Sequence, residues 1–171
     1  MNQLNILESR KKRNLFVNSF VDQTTERYKM IKEIDLQNDS LYLWDTLLKP
    51  FSSMVNYESA IDHLKNSSNK VLLMMDIQRI NRYSEETEYN LYLKKHNYKR
   101  ESVFELLASE VAELYCLDNE INMNWRPSDL NLLEDIYVFD ESFKWLIVFT
   151  HEYVDQTDTN AHRICFSNLL I

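Results

Sequence analysis

Not one of the 171 residues is glycine. Ordinary usage is about 7%. The absence excludes every site that needs bare backbone against a phosphate or a sharply strained nucleophile. A P-loop, a dinucleotide fingerprint and a glycine nucleophile elbow are therefore ruled out. It also constrains turns. Positions with positive φ must fall to residues with a Cβ, and Asn and Asp tolerate them best. The chain holds 17 asparagines, and Asn66-Ser67-Ser68-Asn69 reads as a turn built this way.

The length suits one domain spanning 1–171, with no repeat and no linker composition. Apolar residues at 44% and charged residues at 27% are enough for a packed core. Two cysteines, Cys116 and Cys165, exclude a disulfide scaffold and a four-cysteine zinc site. No apolar run is longer than 145–149, which falls far short of the ~20 residues of a membrane span. Residues 1–13 contain no hydrophobic signal region. The expectation is a cytoplasmic protein with no membrane partner and both thiols reduced.

Periodicity predicts helices in the first half. Leu4, Leu7, Leu15, Phe16 and Phe20 form a loose stripe. Thr24 or Thr25 caps a second helix through Tyr28 and Ile31, and Asp39-Ser40 a third through Leu41–Leu48, which ends before Pro50. Residues 57–64 read as a short helix. The run 71–77 reads as a buried strand. Glu101–Leu117 reads as the strongest helix, with Val103, Phe104, Leu107, Val111 and Leu114 in phase and Ser102/Glu105 as a capping box. The C-terminal part reads as β: 135–139 and 144–152 form a hairpin with a tight turn at Glu141-Ser142. This pairs Phe139 with Lys144 and Tyr137 with Leu146, and Trp145 is expected to be buried. A third strand covers 162–170. Strand 144–150 is apolar on both faces, so both faces should be covered. The expected class is α+β, with N-terminal helices packed on a small, mainly antiparallel sheet formed by the C-terminal strands and the 71–77 strand.

The segment Tyr137-Val138-Phe139-Asp140-Glu141-Ser142-Phe143-Lys144-Trp145, running into Thr150-His151-Glu152, resembles the C-terminal hairpin of small bacterial cytoplasmic proteins. Those proteins are often immunity-protein-like. The Leu43-Trp44 helix, the 57–64 helix and the 71–77 strand resemble the front of such proteins. The resemblance implies a binding role beside a toxin and carries no reaction with it.

Charge points the same way. The net charge is −8, unevenly spread. Residues 1–33 carry seven basic and four acidic residues, whereas 101–160 carry fourteen acids against Arg126 and Lys144. A face of this sign repels nucleic acid and anionic membrane and attracts a basic protein. The candidate partner-binding residues are Glu110, Glu113, Glu120, Asp129, Glu134, Asp155 and Asp158, with Trp125 and Arg126 as an aromatic and arginine anchor. The basic run Arg10-Lys11-Lys12-Arg13 points all round a helix and reads as solvated surface.

No catalytic constellation and no cofactor motif stands out. The leading functional expectation is a non-enzymatic, immunity-type inhibitor of a basic toxin or nuclease. The alternative is a small metal-dependent hydrolase. If strands 144–152 and 162–170 pair with His151 opposite His162, two imidazoles can share one ion, with Asp155 adding a carboxylate. Cys165 reads as a small core hydrophobe and Asp140-Glu141 as turn residues.

Overall fold

The computed structural model describes residues 2–33, 42–75, 102–112, 136–154 and 162–169. Their order is β1 (Asn2–Gln3), α1 (Ile6–Phe20), α2 (Glu26–Glu33), 3-10 turns at Leu43–Thr46 and Lys49–Phe51, β2 (Met54–Val55), α3 (Tyr57–Lys65), β3 (Lys70–Met75) and β4 (Val103–Leu107). A helical stretch over 108–112 follows, then β5 (Ile136–Asp140), β6 (Leu146–Val154) and β7 (His162–Ser167). The seven strands form one sheet in the order β1-β4-β3-β5-β6-β7-β2. Every pairing is antiparallel. The α+β class is as the sequence predicts, and the sheet is wider than predicted because β1, β2 and β4 join it.

Both faces of the inner strands are covered by apolar side chains. On one face Phe16 and Phe20 of α1, with Leu43 and Leu47, pack on Leu72, Met74, Val103, Tyr137, Phe139, Leu146 and Val148. On the other, Tyr57, Ala60, Ile61 and Leu64 of α3, with Ala108, Val111 and Ala112, pack on Val71, Leu73, Phe104, Ile136, Val138, Ile147, Phe149 and Cys165. Burial on both faces explains why the inner strands read as continuous apolar runs rather than alternating ones. Local chemistry starts the helices. Asn5 caps α1 by accepting from Glu8 N, Thr25 Oγ1 accepts from Tyr28 N at the start of α2, and Asn56 caps α3 by accepting from Ser59 N. Arg27 and Asp45, 3.1 Å apart, tie α2 to the first 3-10 turn.

Several expectations are corrected. The helix predicted from 101 is strand over 103–107 and helical over 108–112; its remainder, 113–117, lies outside the described residues. Val103, Phe104 and Leu106 are buried, and such a short apolar run fits either period. The ladder to β3, from Lys70↔Leu107 to Met74↔Val103, decides for strand. The supposed capping box is absent. Ser102 Oγ accepts from Gln3 Nε2, and Glu105 meets Lys70 at 2.7 Å across the strands. Residues 43–51 make two short 3-10 turns instead of a helix, with Pro50 inside the second. Leu47 between them bridges Val21. The stripe of α1 is also narrower than predicted: Phe16 and Phe20 are buried, but Leu7 is 74% exposed. Strand β3 ends at Met75, and residues 76 and 77 lie outside the described residues.

The hairpin register differs by two residues. Phe139 pairs with Leu146 and Tyr137 with Val148. The same faces are kept, because a shift of two preserves side-chain parity. The longer turn leaves Trp145 before the strand and half-buried, edge-on to His63 with ring centroids 6.0 Å apart. Within this turn Phe143 has φ 55°, the one positive φ among the described residues. The left-handed position therefore falls to an aromatic residue, not to Asn or Asp. Its ring lies 5.5 Å from Phe139 and 6.2 Å from Phe20, with the Lys12 ammonium 5.8 Å from its centroid. These contacts offset a backbone cost of about 1–2 kcal/mol.

The Lys70–Glu105 pair yields a signed prediction. The hydrogen bond to Glu105 holds the Lys70 ammonium above its usual range. Its contribution is complete below the ordinary lysine pKa and disappears as pH rises through the raised value. Alkaline titration of the melting temperature should therefore show a falling limb that is smaller in Lys70→Met. Identical limbs in both proteins would overturn the assignment.

Candidate functional site

The antiparallel topology sorts the strand ends into two poles. At one, Met75 stands opposite Ile136 and Met74 opposite Val103. Ile136 is in turn level with Phe149, and the β6–β7 pair projects beyond it to Val154 opposite His162. The end of β3, the starts of β4 and β5, the end of β6 and the start of β7 thus share this pole. Acids crowd these strand ends in the sequence. Asp76, Glu101, Glu134, Asp135, Glu152 and Asp155 stand within two residues of them in sequence, against Arg163, with Arg100 three residues before Val103. Of these, all but Glu152 and Arg163 lie outside the described residues.

The opposite pole is charge-balanced. Lys70 meets Glu105 at 2.7 Å, Lys12 meets Glu141 at 3.6 Å and Lys65 lies 3.9 Å from Asp62. The Asp140 carboxylate is spent on the hairpin turn. Oδ1 accepts from Lys144 N at 2.7 Å and Trp145 N at 3.0 Å, and Oδ2 accepts from Ser142 N and Ser142 Oγ. Each of these acids already has a partner, so this pole presents little net field to a ligand. Farther along the chain, the hydroxyl and amide of Thr24 hold the Asp22 carboxyl below its usual range. This is a local loop feature between α1 and α2.

The predicted site residues fall as follows. Glu110 lies near the balanced pole and accepts from Leu107 N at 2.6 Å, capping the 108–112 stretch. The chain there is pinned by Ala108 N donating to Asn69 O. Glu110 is therefore at the far end of the sheet from the strand ends that adjoin Glu134 and Asp155. Glu113, Glu120, Trp125, Arg126, Asp129, Glu134, Asp155 and Asp158 lie outside the described residues, as does Cys116. Cys165 is buried in the core beside α3.

The expected opposition of His151 and His162 is not formed. His162 faces Val154, and Tyr153 faces Arg163. The cause is an irregularity between Phe149 and Tyr153 in the β6 ladder. It falls on Thr150-His151-Glu152, and Thr150 is fully buried. Nothing in the alternation of the sequence announces a bulge, so counting residues across the loop put the two histidines in the wrong register. The role of Asp140 was legible only as turn chemistry, without its four donors.

No family model matches the chain, and no curated protein or solved structure is significantly similar to it. Among the described residues no helix is long and apolar enough to cross a membrane.

Proposed function

We propose that this chain is a non-enzymatic binding protein, an immunity-type inhibitor that covers a basic toxin or nuclease with an acidic face. The observation that carries the reading is the paired charge at one pole, set against the acid-rich sequence that flanks the strand ends of the other. The acids of one pole are paired with lysines or with turn amides. In the sequence flanking the strand ends of the other pole, the six acids stand against Arg163 within the same span. Clustered charge of one sign accelerates encounter with an opposite partner and rejects like-charged ones. Trp125 beside Arg126 is the residue type that holds such a complex once formed. The resemblance of the C-terminal hairpin to immunity-like proteins agrees with this role.

Capture from the native host at low and at high salt tests the reading. A basic protein should be retained at low salt and lost at high salt, because attraction is screened over about 8 Å at physiological ionic strength. With that partner purified, Glu134→Lys combined with Asp155→Lys should slow association roughly tenfold while dissociation changes little. Glu141→Lys, at the balanced pole, should leave the rate unchanged. Capture of no basic protein, or of one held equally at high salt, would remove the physical basis of the reading.

A further inference from the structure

The sheet ends on one side in β2, whose outer edge pairs with no strand among the described residues. Ser53 O accepts from Ser167 N at 2.9 Å, so Met54 and Phe166, the next pair of this ladder, do not hydrogen-bond to each other. The N–H and C=O of Met54 therefore point away from β7, and its side chain lies on the same face as Phe166. Met54 is 66% exposed, more than any other large hydrophobic of the described residues except Leu7. The half-buried Phe166 stacks on Trp44 with ring centroids 5.6 Å apart, and Trp44 stacks in turn on Tyr42 at 5.6 Å. Aromatic rings with methionine are the side chains enriched in the core of a protein interface. Charge also distinguishes this edge. Sheet edges are commonly guarded by charged side chains, yet residues 50–57 carry none in a chain that is 27% charged. The uncharged run is flanked by Lys49 and Glu58, both exposed and of opposite sign.

We propose that the β2 edge docks a second copy of this chain, the two β2 strands pairing antiparallel about a two-fold axis at Met54. Two copies of net charge −8 repel each other, so they meet most readily over a patch without charge. An antiparallel pairing of one strand with itself is isologous, each copy offering the same surface to the other. It runs the Lys49 flank of one copy alongside the Glu58 flank of its partner, and does so twice, so the charges that border the patch are complementary. The outward N–H and C=O of Met54 supply a reciprocal pair of backbone hydrogen bonds, and the exposed thioethers meet beside the Trp44–Phe166 stacks. A strand this short leaves most of the contact to side chains, which places the dimer in the small, weak class of interface. The proposal is independent of the acidic-face reading, because no residue of the β2 edge enters that reading.

Sedimentation equilibrium of the full chain over a wide range of concentration is the test. The wild-type chain should pass reversibly from monomer to dimer as concentration rises. Met54→Lys, which sets two ammonium groups together at the axis, should lower the association constant at least roughly tenfold. Lys49→Glu should lower it roughly threefold, a small effect because the flanking pairs are open to water. Combining Lys49→Glu with Glu58→Lys should restore the wild-type constant, a rescue that altered folding of the monomer would not produce. Leu7→Lys, on the exposed face of α1, should leave association unchanged. All these positions are exposed, and equal melting temperatures of the dilute variants check that each one folds. A chain that stays monomeric at every concentration would overturn the proposal and leave the edge to an extended segment of another protein. A dimer that Met54→Lys leaves intact, or one that the double charge swap fails to restore, would overturn it as well.

Discussion

Phe16→Ala is expected to lower the unfolding free energy by about 3–5 kcal/mol. Phe16 is fully buried on α1. Its ring centroid lies 5.0 Å from Phe20, 5.3 Å from Tyr137 and 5.0 Å from Phe139. Truncation therefore removes three aromatic contacts and leaves a cavity between the helix and two β5 rings that the sheet holds in place. The backbone cannot collapse into that space, because Tyr137 and Phe139 are fixed by ladders on both sides. A domain of this size is stable by about 5–15 kcal/mol, so the variant should be close to unfolding at physiological temperature. Phe16→Leu, which keeps most of the volume, should cost less than half as much. Leu7→Ala, on the exposed face of the same helix, should stay within about 0.5 kcal/mol of wild type. Urea midpoints at unchanged slope measure all three. A Phe16→Ala midpoint equal to that of Leu7→Ala would contradict the packing of α1 on the sheet.

The second large effect belongs to the hairpin turn. Asp140→Ala should destabilise by about 2–3 kcal/mol, near the range for a hydrogen-bonded charged group. The turn is open to water, so the freed Lys144 and Trp145 amides can be partly resolvated, and the loss is smaller than the sum of the broken bonds. A second contribution comes from Phe143. Its left-handed backbone is imposed by the loop that the Asp140 carboxylate closes, and without that closure the strained position has fewer constraints. Asp140→Asn keeps one oxygen acceptor and should lose about half as much. Chemical denaturation of both variants, with amide exchange at Lys144 and Trp145, provides the measurement. If Asp140→Ala leaves those amides as protected as in wild type, the carboxylate does not hold the turn. Trp145→Ala should cost less than a fully buried tryptophan would, because the ring is half-buried beside His63.

The legibility of this chain follows the range of the interactions involved. Helix α3 is readable from its own residues, because Ala60, Ile61 and Leu64 share one face; its Asn56 cap is shown only by the structure. Strand β3 was readable because a short apolar run next to a polar turn has few alternatives. Segment 101–107 was misread because Val103, Phe104 and Leu106 satisfy a helical period as well as a buried strand. The deciding contribution is the ladder to β3, thirty-odd residues away in sequence. The candidate site was legible only as composition. That acids gather in residues 101–160 can be counted, but which of them adjoin the same pole depends on strand order.

Composition and local pattern alone thus determined the α+β class, the exclusion of glycine-dependent chemistry, the apolar face of α3 and the double-sided burial of the strand after the hairpin turn. These are properties of single residues and near neighbours, set by backbone sterics and side-chain solvation. Tertiary structure decided the strand order, the register of the hairpin, the bulge at Thr150–Glu152 and the separation of His151 from a direct pairing with His162. Each of these depends on which residues meet across the sheet. A shift of two preserves every face and leaves the hydrophobic pattern equally satisfied, so only the closed ladder and the Asp140 turn distinguish one register from another.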